Sequence, residues 1–263
     1  MTDEGRARPK LDTSIAHPAR VYDYWLGGKD NYAADREVAE RVLAIVPEAP
    51  RSVRANRAFL KRAVRLTAEA GVRQFLDIGS GLPTAENSHD IAQQVRPDAH
   101  VVYVDNDPIV LVHGNALLAG TGSTTVVQSD ARDPEAILGH PEVRRHIDFG
   151  QPVAVLLLGV LHFVPDDQDP YGIVARLAKA MVPGSHLILS HLTGDSDPEN
   201  AKRFLESVNR EARAVVRTRE EVQRFFDGFE LLDPGVVPVD RWRPDGPDAM
   251  KRFWLWAGVG RKA

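Results

Sequence analysis

Phe75-Leu76-Asp77-Ile78-Gly79-Ser80-Gly81-Leu82-Pro83-Thr84 decides how the chain is read. Apolar residues bracket an aspartate, and two glycines follow, two apart. The pattern is that of a buried strand ending in a tight turn that opens a helix. Such a turn presents backbone N–H groups to a ligand, because glycine has no Cβ to block close approach. The next acidic strand end, Asp105, closes Val101-Val102-Tyr103-Val104-Asp105, 24 residues after Gly81. A glycine turn followed by a carboxylate at the next strand end is an arrangement that holds a nucleoside, with the carboxylate on the ribose hydroxyls.

Outward from this stretch the rhythm is strand and helix in alternation. Strands are expected at Gln74–Ile78, Val101–Val104, Thr124–Gln128, Val153–Leu158 and Leu187–Ser190. Helices fall between them at about Ser88–Val95, Pro108–Leu118, Pro134–Leu138 and Tyr171–Met181. Near-continuous apolar strands imply a parallel sheet covered on both faces, with Val153–Leu158, the most apolar, at its centre. A long helix is expected over Pro198–Val215, and Thr218-Arg219-Glu220-Glu221 forms a capping box for another that ends near Asp227-Gly228. Strands at Phe229–Leu232, with Val236–Val239 beside it, and Phe253–Val259 complete the sheet. Only a loop precedes the last of these, so it can enter antiparallel. The region before residue 72 reads as helical: Pro18–Leu26 stopped by Gly27-Gly28, Ala33–Val46, and Arg51–Ala70 capped by Gly71. The expected organisation is a charged tail over 1–13, a helical segment over 14–71 and an α/β unit over 72–263.

Totals narrow the function. The chain has 263 residues and a net charge of −4, and lacks the basic excess of a nucleic-acid binder. The basic run Arg51, Arg54, Arg57, Lys61, Arg62, Arg65 falls at helical spacing and reads as a solvated face. No apolar run reaches the ~18 residues of a membrane span, and Met1–Lys10 lacks the apolar stretch of a signal peptide. There is no cysteine, which excludes disulfides, thiol catalysis and cysteine-ligated metals and suits a cytoplasmic chain. Nine histidines fall without metal-ligand spacing, so no metal is expected. No sequence feature decides whether copies assemble as a homo-oligomer.

The residues that carry chemistry sit at strand ends. The turn matches G-x-G but not G-x-G-x-x-G, because Thr84 stands at the last position. That disfavours a dinucleotide, whose pyrophosphate needs the third glycine, and makes a nicotinamide-dependent oxidoreductase the weakest reading. Asp77, at a buried strand end, would accept from backbone N–H groups or, through water, from a ligand ammonium. Asp105 is the ribose candidate, Asn106 its neighbour, and Asp107 before Pro108 the helix cap. Asp130 and Ala131 follow the third strand, placed to meet an adenine edge. Gly159, Val160 and His162 follow the fourth; His162 is either a general base or a bystander that positions others.

These four strand ends together resemble the class I S-adenosylmethionine-dependent methyltransferases. The wider pattern, Ala16-His17-Pro18-Ala19-Arg20-Val21-Tyr22-Asp23-Tyr24-Trp25-Leu26-Gly27-Gly28-Lys29-Asp30-Asn31 with Gly79 to Thr84, Asn87, His89 and Trp242-Arg243-Pro244, is similar to a bacterial S-adenosyl methyltransferase family. The resemblance implies a Rossmann-like, mostly parallel seven-stranded sheet with helices on both faces, an antiparallel last strand, and S-adenosyl-L-methionine as cofactor. It implies cofactor contacts from Asp77, Gly79, Ser80, Gly81, Asp105, Asn106, Asp130, Ala131, Gly159 and Val160. Tyr22, Tyr24 and Trp25 then form either a lid over the cofactor or ordinary packing, with Lys29 or Arg20 on its methionyl carboxylate. Trp242, Trp254 and Trp256 are either an acceptor wall or core. The function expected is methyl transfer to a small-molecule acceptor; the rival from another class is a cofactor-binding sensor or interaction module without turnover.

Overall fold

Gln74–Ile78 (β1) is buried at all five positions, so both faces of the strand need cover. The computed structural model, which describes residues 12–84, 86–118, 122–208, 212–246 and 249–263, shows how that cover is built. After β1 come α4 (Ser88–Val95), β2 (His100–Asp105), α5 (Pro108–Leu118), β3 (Thr124–Gln128), α6 (Pro134–Gly139), α7 (Pro141–His146) and β4 (Ala154–Leu158). Then follow α8 (Pro170–Ala180), β5 (His186–Leu192), α9 (Pro198–Val208), α10 (Arg219–Gln223), β6 (Phe229–Leu231), β7 (Val237–Pro238) and β8 (Leu255–Lys262). Among the described residues three helices precede the sheet: α1 (Pro18–Leu26), α2 (Ala33–Leu43) and α3 (Ala49–Glu69). Residues 1–11, most of the expected tail, lie outside the described residues.

The sheet runs β3-β2-β1-β4-β5-β8-β6, with the two-residue β7 paired to β8 as an eighth strand. Strands β1 to β5 are mutually parallel, and β8 enters antiparallel between β5 and β6. The most apolar strand, β4, is central, as expected. Strand order reverses at β1/β4, so the turns after these two strands diverge and leave a crevice at their carboxyl ends. One apolar cluster packs α2, α3 and α4 on one face of the sheet; another packs α7, α8 and the Arg224–Phe226 turn on the other.

Local chemistry sets the helix ends. Gly27 stops α1 in the left-handed region at φ +83°, a conformation that costs a residue with a Cβ about 1–2 kcal/mol. Thr218 Oγ1 accepts from Glu221 N while Glu221 accepts from Thr218 N, the expected capping box. Two expectations need correction. The helix begun at Pro198 is described to Val208, and residues 213–217, which take in its expected end at Val215, have no regular secondary structure. There Val215 N donates to His162 O and Arg217 N to Leu192 O. The buried Arg217 guanidinium donates to the carbonyls of Leu161 and Val164 and to Asp166, and this outweighs helix propensity. The short α7, opened by Pro141 and capped by His140 Nδ1, was not anticipated.

Trp242 belongs to the core. It is fully buried, meets Phe59 edge-on at 5.3 Å, and its carbonyl accepts from Arg62 Nε at 2.8 Å. Trp242→Ala should lower the unfolding free energy by about 3–5 kcal/mol, read by urea denaturation, because the site cannot collapse around the void.

Candidate functional site

The crevice at the β1/β4 switch opens into a cavity of about 590 Å³. Its floor is the carboxyl edge of the sheet, and α1, α2, α3 and α9 close it above. The size suits a cofactor and a small partner together.

The glycine turn forms one end. Gly79 N and Ser80 N both donate to Val104 O, and Gly81 N donates to Asp105 Oδ2 at 2.8 Å. Gly79 and Gly81 are both left-handed, at φ +69° and +67°, but for different purposes. A Cβ on Gly79 would sit 2.1 Å from Val160 Cγ2, in the turn after β4; a Cβ on Gly81 would meet nothing within 4 Å. The first glycine lets two protein turns touch, and the second keeps the cavity clear. Ser80 Oγ also borders the cavity and has no hydrogen-bond partner, an orphaned group that a ligand can satisfy.

The carboxylates are arranged around this turn. Asp77 is buried and accepts from Ser88 Oγ at 2.5 Å. Burial pushes its carboxyl up to about 6, against the pull of Ser88 and of the nearby Arg57 guanidinium. Asp105 Oδ1 accepts from Asp107 N at 2.9 Å, and burial raises its carboxyl against the two backbone donors. Each oxygen of Asp105 has one donor, which leaves lone pairs for ribose hydroxyls. Asp107 caps α5 through Ile109 N, as expected. Asn106, Asp130 and Ala131 line the cavity beside Asp105; Asp130 is held ionised by hydrogen bonds from Arg132.

Opposite lie Gly159, Val160 and His162. No side chain hydrogen-bonds His162, and its Nδ1 is buried. Burial, with Arg217 nearby, depresses its imidazole to about 3. Burial thus weakens it as a base, against the general-base alternative and toward the bystander one. Above it, Ser190 Oγ donates to Asn56 Oδ1 at 2.7 Å, Asn56 Nδ2 donates to Tyr22 OH at 3.2 Å, and Tyr22 OH donates to Val53 O at 3.0 Å.

The structure does not bring every expected residue here. Tyr22 and Trp25 line the cavity, but Tyr24 does not. Residues two apart point to different sides of a helix, and the Tyr24 hydroxyl bonds Glu40 instead. Lys29 is exposed beyond the α1 stop and off the cavity. Arg20 is also off it, paired with Asp107 at 3.2 Å and Asp35 at 3.6 Å. Of the tryptophans, Trp254 alone joins Trp25 at the cavity; Trp256 donates to Asp195 Oδ2 at 2.9 Å. The residues missed are on α3: Ala49, Ser52, Val53, Asn56, Arg57 and Leu60 form one cavity-facing stripe. Arg57, whose Nη2 donates to Glu86 O at 2.8 Å, supplies the cation beside the glycine turn that Lys29 and Arg20 do not. The i, i+3, i+4 spacing was the available signal, but Arg57 read as part of a solvated basic face, and Ser52 and Asn56 were not singled out.

Known proteins give the arrangement a context. The model of a family described as S-adenosyl methyltransferase matches residues 4–263. A solved DUF574 family protein from Streptomyces avermitilis is 43% identical over 97% of this chain and 100% of its own, with a TM-score of 0.93. A candidate methyltransferase from Thermobifida fusca is 45% identical over 97% of both chains, with a TM-score of 0.91. The plantazolicin methyltransferase BamL, solved with a triazolic desmethylPZN analogue and S-adenosylhomocysteine, is similar in fold alone: 12% identity, 93% of this chain, 95% of its own, TM-score 0.52. No curated protein matches the chain.

Two predictions follow from the turn. Gly79→Ala should destabilise by about 2–4 kcal/mol, combining left-handed strain with the clash on Val160. Gly81→Ala should cost only the strain, about 1–2 kcal/mol; urea midpoints of the two variants check the difference. Asp77 is raised in the folded state, so its contribution to stability is present at low pH and lost as pH rises through about 6. Asp77→Asn should therefore raise unfolding free energy by roughly 2–3 kcal/mol at pH 7–8, from about two pKa units, with little gain near pH 3.5.

Proposed function

The chain belongs to the S-adenosyl methyltransferase family, with S-adenosylmethionine as cofactor, and we propose that it transfers the cofactor's methyl group in line to a small-molecule acceptor in the same cavity. One observation carries this reading: four strand ends and α3 converge on a single cavity. The residues present fit the cofactor. Ser80 Oγ lacks a partner, the space over Gly81 is open, and Asp105 has acceptor capacity left.

In this reading the glycine turn and Ser80 hold the methionine moiety, Arg57 meets its carboxylate, and Asp77 draws its ammonium. Asp105 accepts from the ribose hydroxyls and also fixes the position of Gly81. Asn106, Asp130 and the Ala131 backbone border the adenine. Bound there, the cofactor supplies an electrophilic methyl on a sulfonium. Tyr22 and Trp25 on α1 cover the crevice and exclude water, and the Asn56–Ser190 pair stiffens the wall beside Gly159. Catalysis of this kind rests on proximity, orientation and dehydration more than on proton transfer, which agrees with a histidine as weakly basic as His162.

Titration calorimetry with S-adenosylhomocysteine tests the assignment. The wild type should bind, and Asp105→Ala should bind 10- to 100-fold more weakly, about 1.5–3 kcal/mol for hydrogen bonds to a charged group. Wild-type affinity in Asp105→Ala would discard the assigned ribose contact, and NAD binding in place of S-adenosylhomocysteine would discard the reading.

A further inference from the structure

The cavity is chemically divided. Its charged groups cluster at the glycine turn, around Asp105 and Asp130, and at Asp23 in the α1 loop. Asp23 is consumed by Asp30 N at 3.0 Å and Asn31 Nδ2 at 2.9 Å. The other half, walled by α2, the start of α3, α9 and β8, includes Val42, Val46, Leu60, Val208 and Leu255. Among the described residues it has no carboxylate. Arg213, at its margin, pairs with Asp167 and is largely exposed. Aromatic faces border the cavity at Phe163, Phe204 and Trp254. Within the apolar half two polar groups are left over: Trp254 Nε1, a donor only, and Ser52, which is 4% exposed, lines the cavity and has no partner for Oγ. Ser52 lies one helical turn from Asn56, which is itself beside Gly159.

We propose that this half-cavity holds the methyl acceptor, and that the acceptor is an uncharged aromatic compound carrying a phenolic hydroxyl that Ser52 Oγ hydrogen-bonds. The inference rests on the methyltransferase reading above. A carboxylate or ammonium would be desolvated there without a counter-ion, at a cost of several kcal/mol. A neutral ring system instead gains from burial against aliphatic and aromatic walls. The orphaned serine requires a polar partner, which excludes a pure hydrocarbon. The identity of that group follows from proton bookkeeping. Transfer to oxygen breaks the methyl–sulfur bond as the methyl–oxygen bond forms, yields a neutral thioether, and releases the hydroxyl proton to water at the cavity mouth. No partner stands ready at His162 to carry that proton away, and burial lowers the basicity of its ring, so a more acidic hydroxyl asks less of the protein. A phenol, with a pKa of about 10 like tyrosine, is far more acidic than an aliphatic alcohol and loses its proton more readily as the methyl–oxygen bond forms.

Calorimetry in two stages separates the inference from the reading beneath it. S-Adenosylhomocysteine is titrated first; if it does not bind, both fall. In its saturating presence, 4-phenylphenol, biphenyl, biphenyl-4-carboxylate and 4-(aminomethyl)biphenyl are compared. The phenol should bind at least ~10-fold tighter than either charged analogue and ~3- to 10-fold tighter than biphenyl, the span of one neutral hydrogen bond. Ser52→Ala should erase the preference over biphenyl while leaving S-adenosylhomocysteine affinity unchanged. Incubation of the wild type with S-adenosylmethionine and 4-phenylphenol should yield the methyl ether by mass spectrometry. Cofactor binding with equal or tighter binding of a charged analogue, an unchanged hydroxyl preference in Ser52→Ala, or no ether would overturn the acceptor class alone.

Discussion

The turn after β1 has no room for a side chain at residue 79. A Cβ there would lie 2.1 Å from Val160 Cγ2, so the loops after the two strands at the sheet's switch point meet in direct contact. Much of the site depends on that closeness. It fixes where Gly81 N points, and Asp105 Oδ2 then holds the same N–H at 2.8 Å. Three strand ends, those of β1, β2 and β4, are thus tied together before any ligand arrives. A pre-tied floor reduces the ordering that binding would otherwise require.

That rigidity is not free. The folded protein keeps Asp77 and Asp105 in places where burial raises both carboxyls. A chain selected for stability alone would place neutral residues there. The two donors on Asp105 and the single one on Ser88 offset part of the desolvation. The remainder is stored at the cavity, as expected where a charged group must face a ligand.

How much of this was legible in the sequence depended on the kind of signal each residue carried. Strands β1 and β4 are near-continuous apolar runs, and even β3, with only two apolar residues, falls on Thr124–Gln128, the residues expected for it. The glycine turn and the carboxylates were legible because they stand at strand ends, where topology alone sends them to one edge. Residues placed by a helix were harder. Tyr22 and Tyr24 look equivalent in the sequence, yet only Tyr22 faces the cavity, since two positions rotate about 200° around a helix. Likewise Ser52, Asn56 and Arg57 share one helix face by spacing, but spacing alone does not say that α3 turns this polar stripe inward. The stripe is turned inward by tertiary packing, with Phe59 against Trp242 and Arg62 on the Trp242 carbonyl, contacts some 180 residues apart in sequence.

The histidine cluster shows why buried polarity matters more than residue type. His191 Nδ1–H donates to Leu192 O at 2.7 Å, and its Nε2 accepts from Arg217 Nη1 at 2.7 Å. Its ring lies edge-on to His162 at 5.8 Å. Burial first, and then neighbouring positive groups with Arg217 among them, hold both imidazoles below the ordinary histidine range. Arg217 thereby does two things with one guanidinium. It ties the loop after β4 to the segment that follows α9, and it adds to the burial that weakens His162, on the cavity wall, as a base. Under the proposed reading, a weakened base and apolar walls point to the same kind of acceptor, one that needs little help in giving up its proton.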